Sequence, residues 1–210
     1  MRLLLIRHGE SASNAEWRVQ GHFDSPLSDR GRDESDRLAE RLVAFEIDAL
    51  YSSTLSRAFQ TAEFVAKRSG LSIVVREELM ERNVGELEGL TREEIQSRFP
   101  ALLRESDDAQ IGRLVPGWEP HEAFAERVSR ALEQPIRDHA GQCVAVVTHG
   151  GLLGQFCASL LGIDSGRPVP LSFANTSITT VDVRDGGAQP GRPARQLVSL
   201  NDTCHLDGRA

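Results

Sequence analysis

Two histidines in this chain stand where an apolar run ends. The run at residues 3–6 leads into Arg7-His8, and the run at residues 143–148 leads into His149. Unbroken apolar runs are typical of parallel strands covered on both faces, and open α/β sheets bind ligands at the carboxyl ends of such strands. A cation and an imidazole at that edge favour the binding of an anion. Taken alone, the first run is equally compatible with a core strand that ends in two surface polar residues.

The residues after His149 favour the anion site. Gly150 and Gly151 follow it, and residues 152–161 then form an apolar, amphipathic stretch that predicts a helix. His149 is thereby placed beside a helix N-terminus, where free N–H groups and the helix dipole attract an anion. The chain has no Walker lysine and no GxGxxG, so the two glycines are weak evidence for a nucleotide-binding loop.

Arg57 is a third candidate for the site. It follows a predicted strand at residues 49–52 and lies in the first turn of a predicted helix at residues 55–68. The helix dipole disfavours a cation there, and a residue that breaks a local rule without local compensation is a candidate for function. An ordinary solvated arginine remains the alternative from this segment alone.

Four short motifs are spread along the chain in a fixed order. They are Arg7-His8-Gly9-Glu10, Ser53-x-Leu55-x-Arg57-Ala58-x-Gln60-Thr61-Ala62, Leu79-x-Glu81-x-x-x-Gly85-x-x-Glu88-Gly89 and Thr148-His149-Gly150-Gly151. Together they resemble the histidine phosphatase superfamily, also called the phosphoglycerate mutase-like family. Further positions that fit this family are Asn14, Arg18, Gln20-Gly21, Asp24, Pro26-Leu27, Asn175-x-Ser177-Ile178-Thr179 and Leu200-Asn201-Asp202-x-x-His205-Leu206. Separated motifs in order are more specific than any one of them.

The resemblance implies a role for His8 and for Glu81. His8 is the expected nucleophile, which forms a phosphohistidine and attacks as a neutral imidazole, since nearby guanidinium groups disfavour a second positive charge. One of its ring nitrogens is expected to be held by a hydrogen bond, while the other stays free. Glu81 is the expected acid for the leaving group and then the base for the hydrolytic water. The alternatives for that acid are Glu10, Glu78, Glu86 and Glu88.

The resemblance also implies a set of phosphate-binding residues. Phosphoryl transfer needs positioning and positive charge on the phosphate oxygens, and a guanidinium offers a planar donor fork that suits them. The expected phosphate-binding residues are Arg7, Arg57, His149, Asn14, Gln20, Gly21 and Gly150. We expect neither a metal ion nor a cofactor, because the histidines show no metal-ligand spacing.

Two features separate the branches of the family. Phosphoglycerate mutases carry Glu-Arg-His-Tyr-Gly where this chain has Glu81-Arg82-Asn83-Val84-Gly85, and a longer basic insertion follows in them. Here residues 91–117 are short and hold four arginines, which favours a phosphatase of small phosphorylated metabolites over a mutase. Phosphatases of this kind have Gly-Gly-Glu-Ser where this chain has Gly117-Trp118-Glu119-Pro120, so Trp118 is expected to narrow or line the pocket. A non-catalytic phospho-ligand-binding module is a third hypothesis.

Alternating apolar patterns predict the remaining elements. Strands are predicted at residues 1–7, 49–52, 72–75, 143–148, 177–183 and 195–200, and helices at residues 28–45, 55–68, 91–99, 119–139 and 152–161. Ser28 is an expected N-cap, and Thr91 opens a capping box. Residues 100–116 are expected to be irregular and to cap the site, and residues 185–193 to form an exposed loop. The alternation predicts an α/β protein, a three-layer α/β/α sandwich with a mostly parallel sheet.

Composition restricts the partners and the compartment. The 210 residues are enough for one domain, residues 1–210, with a small cap segment around 90–118. A net charge of −7 disfavours nucleic acid, and no apolar stretch is long enough for a membrane span. The three cysteines show no disulfide pattern and the N-terminus leads straight into a strand, so we expect a cytoplasmic protein without a signal peptide. A symmetric homodimer is the expected assembly.

Overall fold

The fold is built around one six-stranded sheet. The computed structural model describes residues 1–163, 171–184 and 194–207. The strands are β1 (Arg2–Arg7), β2 (Ala49–Ser53), β3 (Ile73–Arg76), β4 (Cys143–Thr148), β5 (Ile178–Arg184) and β6 (Ala194–Asp202). Their order is β3-β2-β4-β1-β5-β6, with parallel pairs from β3 to β1 and antiparallel pairs on both sides of β5. The predicted mostly parallel sheet is confirmed.

Helices cover both faces of this sheet. They are α1 (Ala12–Ala15), α2 (Asp29–Leu42), α3 (Ser56–Ser69), α4 (Arg92–Arg98), α5 (Asp108–Leu114), α6 (His121–Asp138) and α7 (Gly150–Leu161). Leu4 and Ile6 of β1 pack in a core with α2 and α3, whereas Leu3 and Leu5 pack in a second core with α6 and α7. Because β1 is buried on both faces, its sequence is apolar without alternation. The three-layer α/β/α sandwich is therefore confirmed.

Local signals fixed several helix starts. The Ser28 side chain accepts a hydrogen bond from the Gly31 amide and caps α2, and Thr91 forms the expected capping box with Glu94 at α4. Helix α2 ends at Leu42 and continues as a 3-10 turn. Helix α6 is shorter at each end than the predicted range 119–139. Among the described residues, no helix has both the length and the apolar character needed to cross a membrane.

Residues 100–116 are more regular than their sequence predicted. A 3-10 helix occupies Pro100–Arg104 and α5 follows, capped by the Asp107 carboxylate, which accepts a hydrogen bond from the Gln110 amide at 2.9 Å. The polar composition hid these elements, because a helix this short has no apolar face with a clear period. The predicted loop at residues 185–193 lies outside the described residues.

Candidate functional site

Sheet register places the two histidines side by side. Arg7 of β1 pairs with Thr148 of the neighbouring parallel strand β4, so His8 and His149 leave the sheet at the same level. The His8 amide donates to the Thr148 carbonyl at 2.9 Å, and the two imidazole centroids lie 5.1 Å apart. Both rings are buried. The expectation that these strand ends meet at one edge is met.

The His8 ring is oriented by the backbone carbonyl of the next residue, Gly9. Its Nδ1 lies 2.7 Å from the Gly9 carbonyl, which can only accept, so Nδ1 carries the proton and Nε2 keeps its lone pair. Burial, and then the charges of Arg57 and Arg7, hold the pKa of His8 well below its ordinary value. At neutral pH His8 is therefore an uncharged imidazole with one free nitrogen, as a nucleophile requires.

Gly9 is required for packing against α2. A Cβ on Gly9 would lie 2.6 Å from the Gly31 carbonyl oxygen and 2.7 Å from the Ser35 hydroxyl. The glycine therefore serves the contact between the turn after His8 and helix α2, and its φ is not positive.

His149 is held by the end of β2. Its Nε2 lies 2.9 Å from the Ser53 hydroxyl, and its Nδ1 is buried without a hydrogen-bond partner among the described residues. Burial and then the charges of Arg57, His8 and Arg7 hold the pKa of His149 well below its ordinary value. Nδ1 has therefore lost its contact with water without gaining a hydrogen bond in the protein. A bound ligand that accepts a hydrogen bond would offset this cost.

A buried guanidinium group, that of Arg57, and a half-buried one, that of Arg7, lie beside the histidines. Arg57 is 1% exposed and donates to the carbonyls of Gly21 (2.8 Å) and Phe23 (3.0 Å), and burial lowers its pKa to about 10. Arg7 donates to the Phe173 carbonyl at 2.5 Å, and burial lowers its pKa as well. The Nε atoms of both arginines are buried without a partner among the described residues. These nitrogens and His149 Nδ1 form a set of unmatched donors suited to an oxyanion.

Asp24 compensates the unfavourable place of Arg57 in α3. The N-cap residue Leu55 offers no capping side chain, but the Asp24 carboxylate accepts hydrogen bonds from the Ser56 amide (2.8 Å) and the Ser56 hydroxyl (2.6 Å). A negative charge at a helix N-terminus is stabilising. The compensation that local sequence did not show is supplied by a loop 32 residues away.

Glu81 borders the same cavity as Arg7 and Arg57. Its Oε1 accepts a hydrogen bond from the Arg82 amide (2.9 Å), and its Oε2 accepts one from the Gly151 amide (2.8 Å) in the first turn of α7. Of the glutamates weighed as alternatives, all within the described residues, none lines the cavity. The Glu88 carboxylate instead accepts a hydrogen bond from the His22 amide, and the Glu10 carboxylate accepts one from the Ser28 hydroxyl.

One cavity of about 510 Å³ unites most of the predicted residues. The predicted residues that line it are Arg7, His8, Asn14, Gln20, Gly21, Arg57, Glu81 and Gly150. His149 lies against the His8 ring without lining this space. Sequence reasoning missed several lining residues: Val19, Arg82, Val84, Gly151, Leu171, Ser172 and Phe173. Apart from Arg82, these residues carry no charge that would mark them as ligands of an anion.

The segment at residues 90–118 contributes no residue to the lining of this cavity. Trp118 was expected to narrow or line the pocket, but its ring lies 4.5 Å from the Arg82 guanidinium and its indole N–H donates to Asp108. The segment contacts residues that line the cavity, since Asp108 accepts from Arg82 at 2.6 Å and Glu94 accepts from Arg18 at 3.0 Å. The role of this segment as a cap stays a prediction.

The two further cations at the cavity are neutralised by carboxylates. Arg82 pairs with Asp108, and Arg18 pairs with Glu16 (2.8 Å) and Glu94 (3.0 Å). Among the residues the structure describes, no cluster of three or more His, Cys, Asp or Glu side chains is arranged to hold a metal ion. Positive charge for an anionic ligand therefore comes chiefly from the arginines at the histidine edge.

His22 has a structural role beside the candidate acid. It is half-buried, and its Nε2 lies 2.8 Å from the Glu81 carbonyl, so the ring donates to the backbone of the candidate acid. Nothing in the local sequence around His22 signals this contact, because its partner lies 59 residues away.

Fold and site together define an α/β protein with a candidate anion-binding site, and the sequence comparison gives its family. The sequence matches the histidine phosphatase superfamily (branch 1) over residues 3–194. The chain belongs to this superfamily.

Its relatives include proteins named as mutases and as phosphatases. Phosphoglycerate mutase-like protein 4 of Arabidopsis thaliana is 36% identical over 88% of this chain and 80% of its own length. Phosphoserine phosphatase 1 of Hydrogenobacter thermophilus is 29% identical over 98% of this chain and 94% of its own length. The structure of a mycobacterial glucosyl-3-phosphoglycerate phosphatase in complex with VO3 is 27% identical, with a TM-score of 0.79 over 95% of this chain and 98% of that one.

Proposed function

We propose that this protein is a metal-independent phosphomonoester hydrolase that acts on small phosphorylated metabolites through a phosphohistidine. The observation that carries the proposal is that His8, with Nδ1 bonded and Nε2 left free, shares one cavity with Arg7 and Arg57, and that these arginines and the neighbouring His149 keep buried nitrogens without partners. A phosphate bound by Arg7, Arg57 and His149 Nδ1 would place its phosphorus before that nitrogen. The solved phosphatase with VO3 supports the same chemistry in a relative.

In the first step, the Nε2 lone pair of His8 attacks phosphorus and the bond to the ester oxygen breaks. The leaving oxygen takes a proton from the carboxylic acid form of Glu81, and Nδ1 of His8 keeps its proton in the bond to the Gly9 carbonyl. The two guanidinium groups stabilise the charge on the equatorial oxygens.

In the second step, the Glu81 carboxylate takes a proton from water, whose oxygen attacks phosphorus. The phosphorus–nitrogen bond breaks, so His8 returns to the neutral imidazole that its buried, cationic surroundings favour. Glu81 is then protonated again and phosphate leaves. Asn14, Gln20, Gly21 and Gly150 complete the phosphate pocket in this proposal.

A phosphatase is favoured over a mutase by the pairing of the outer cations. A mutase must retain a bisphosphate while it turns over in the site, which requires free positive charge for the second phosphate. Arg18 and Arg82 are instead paired with carboxylates in the described part of the chain. The mutase-like names among the relatives keep mutase activity as the second candidate.

Two assays in EDTA separate these activities. We expect release of inorganic phosphate from p-nitrophenyl phosphate, and no interconversion of 2- and 3-phosphoglycerate with or without a bisphosphate primer. Primer-dependent interconversion as the main activity would establish the mutase, and silence in both assays would favour the non-catalytic binding module.

Two variants test the residue roles. His8→Asn should abolish turnover and the acid-labile phosphate that alkaline quenching and mass spectrometry find on the His8 peptide. Glu81→Gln should lower kcat/KM for alkyl phosphates by about 10²-fold to 10⁴-fold and for aryl phosphates much less, since kcat/KM reports the first phosphoryl transfer, in which phenolates leave without a proton. Turnover retained in His8→Asn would exclude the phosphohistidine.

A further inference from the structure

The candidate acid lies on irregular backbone. Glu81 follows the 3-10 helix Glu77–Leu79, and residues 81–83 belong to no helix or strand. Carbonyl groups of such a segment have no regular partners, so other groups must satisfy them. Side chains from outside the segment donate hydrogen bonds to four successive carbonyls, those of residues 78–81.

Arg127 of α6 holds three of these four carbonyls. Its Nη1 donates to the carbonyls of Glu78 (2.9 Å) and Met80 (2.7 Å), and its Nη2 donates to the carbonyl of Glu81 (3.0 Å). The Thr148 hydroxyl holds the carbonyl of residue 79 at 2.7 Å. The guanidinium of Arg127 therefore binds the backbone of the residues that lead to the candidate acid and of the acid itself.

Glu119 fixes the guanidinium of Arg127 from the other side. Its two carboxylate oxygens accept from Arg127 Nε (2.9 Å) and Nη2 (2.8 Å), and its Oε2 also accepts from the Asn83 amide (3.0 Å). Burial opposes ionisation of Glu119, but the Arg127 hydrogen bonds and the Asn83 amide hold its pKa below the ordinary value. Each side chain of this bidentate pair is only 16% exposed, so its geometry is well defined.

We infer that Arg127, aligned by Glu119, is a positioning residue for the Glu81 carboxyl group. Arg127 does not line the cavity, so it acts through the backbone that carries Glu81. The inference rests on the proposed acid and base role of Glu81. A carboxyl group displaced by about 1 Å from its proton partner loses about 10²-fold in rate.

The test compares two esters in four proteins. Kinetics of an alkyl phosphate and of p-nitrophenyl phosphate are measured for wild type, Arg127→Met, Glu81→Gln and the double variant. Methionine keeps an apolar stem of similar length and removes the guanidinium donors, whose Cζ lies 5.1 Å from the Phe124 ring centroid. Arg130→Met is the matched control, because Arg130 lies on the same helix, is 66% exposed and pairs only with Glu126 among the ion pairs of the described residues.

We expect Arg127→Met to lower kcat/KM, which reports the first phosphoryl transfer, by about 10²-fold for the alkyl ester. The aryl ester should lose less than about threefold, and Arg130→Met should match wild type for both esters. In the Glu81→Gln background, Arg127→Met should have no further effect, because residues that act as a unit are not additive.

Equal losses for both esters, or losses that multiply in the double variant, would overturn the inference and leave the proposed function standing. If Glu81→Gln itself treats both esters alike, the acid role fails and the inference fails with it. If Arg127→Met does not fold, the isosteric Glu119→Gln replaces it. Glu119→Gln should then show the same preference for the aryl ester over the alkyl ester. If it shows no such preference, the inference is overturned.

Discussion

Replacing Gly151 by alanine is expected to displace the Glu81 carboxyl group without harming the fold. A Cβ on Gly151 would lie 2.4 Å from Glu81 Oε1 and 3.0 Å from its Cδ, whereas ordinary contact begins near 3.4 Å. The carboxyl group must therefore retreat by about 1 Å, which corresponds to about 10²-fold in a step that needs it in place. Alanine in a helix is favoured over glycine by about 0.5–1 kcal/mol, which partly offsets the steric strain in the folded state.

The assay is initial-rate kinetics on an alkyl phosphate and on p-nitrophenyl phosphate, with urea unfolding as the measure of stability. Gly151→Ala should lose about 10²-fold in kcat/KM for the alkyl ester and only a fewfold for the aryl ester, because kcat/KM reports the first phosphoryl transfer. Gly154→Ala is the matched control, since it lies in the same helix and its nearest contact would be an ordinary 3.9 Å from Phe173. A Gly151→Ala enzyme as fast as the control on the alkyl ester would refute the assigned place of Glu81 in the reaction.

Three further predictions concern stability, each measured by urea unfolding. Asp24→Ala should lower the unfolding free energy by about 1 kcal/mol through loss of the Ser56 cap, and Asp24→Asn by about half of that, while no change would exclude the cap. The lowered pKa of His149 means that the unfolded chain binds more protons below about pH 6.5, so stability is present above that pH and declines as pH falls, by up to about 1.4 kcal/mol per pH unit. His149→Asn should flatten that decline, and an unchanged slope would contradict the neutral buried ring. Gly31→Ala should cost about 1–3 kcal/mol or more, because its Cβ would lie 1.9 Å from the Glu10 carbonyl oxygen, and wild-type stability would contradict that contact.

The sheet and the histidine pair were predictable because their signals are local. An apolar run that ends in a polar residue marks a buried strand and its carboxyl end, and parallel neighbours bring such ends together. The place of His8 beside His149 follows from these rules once β1 and β4 are adjacent. The family resemblance then supplied Glu81, which no periodicity marks.

Contacts between distant irregular segments were not predictable. The Asp24 cap on Ser56 and the His22 bond to the Glu81 backbone join residues 32 and 59 positions apart, without any repeating pattern. Trp118 was misjudged because an aromatic residue near a site has two uses, and here it stacks on a guanidinium. The sequence pattern did not predict helix α5, because its seven residues have no apolar face with a helical period.

The contact of Gly9 with Gly31 has a consequence for redesign. Main chain meets main chain there, so neither partner has a side chain that a designer can trim or enlarge. Altered substrate range must be sought elsewhere on the wall, at Val19, Val84 and Leu171, whose side chains border the cavity. Libraries that keep both glycines and vary those three positions should leave His8 in place while the shape of the cavity changes.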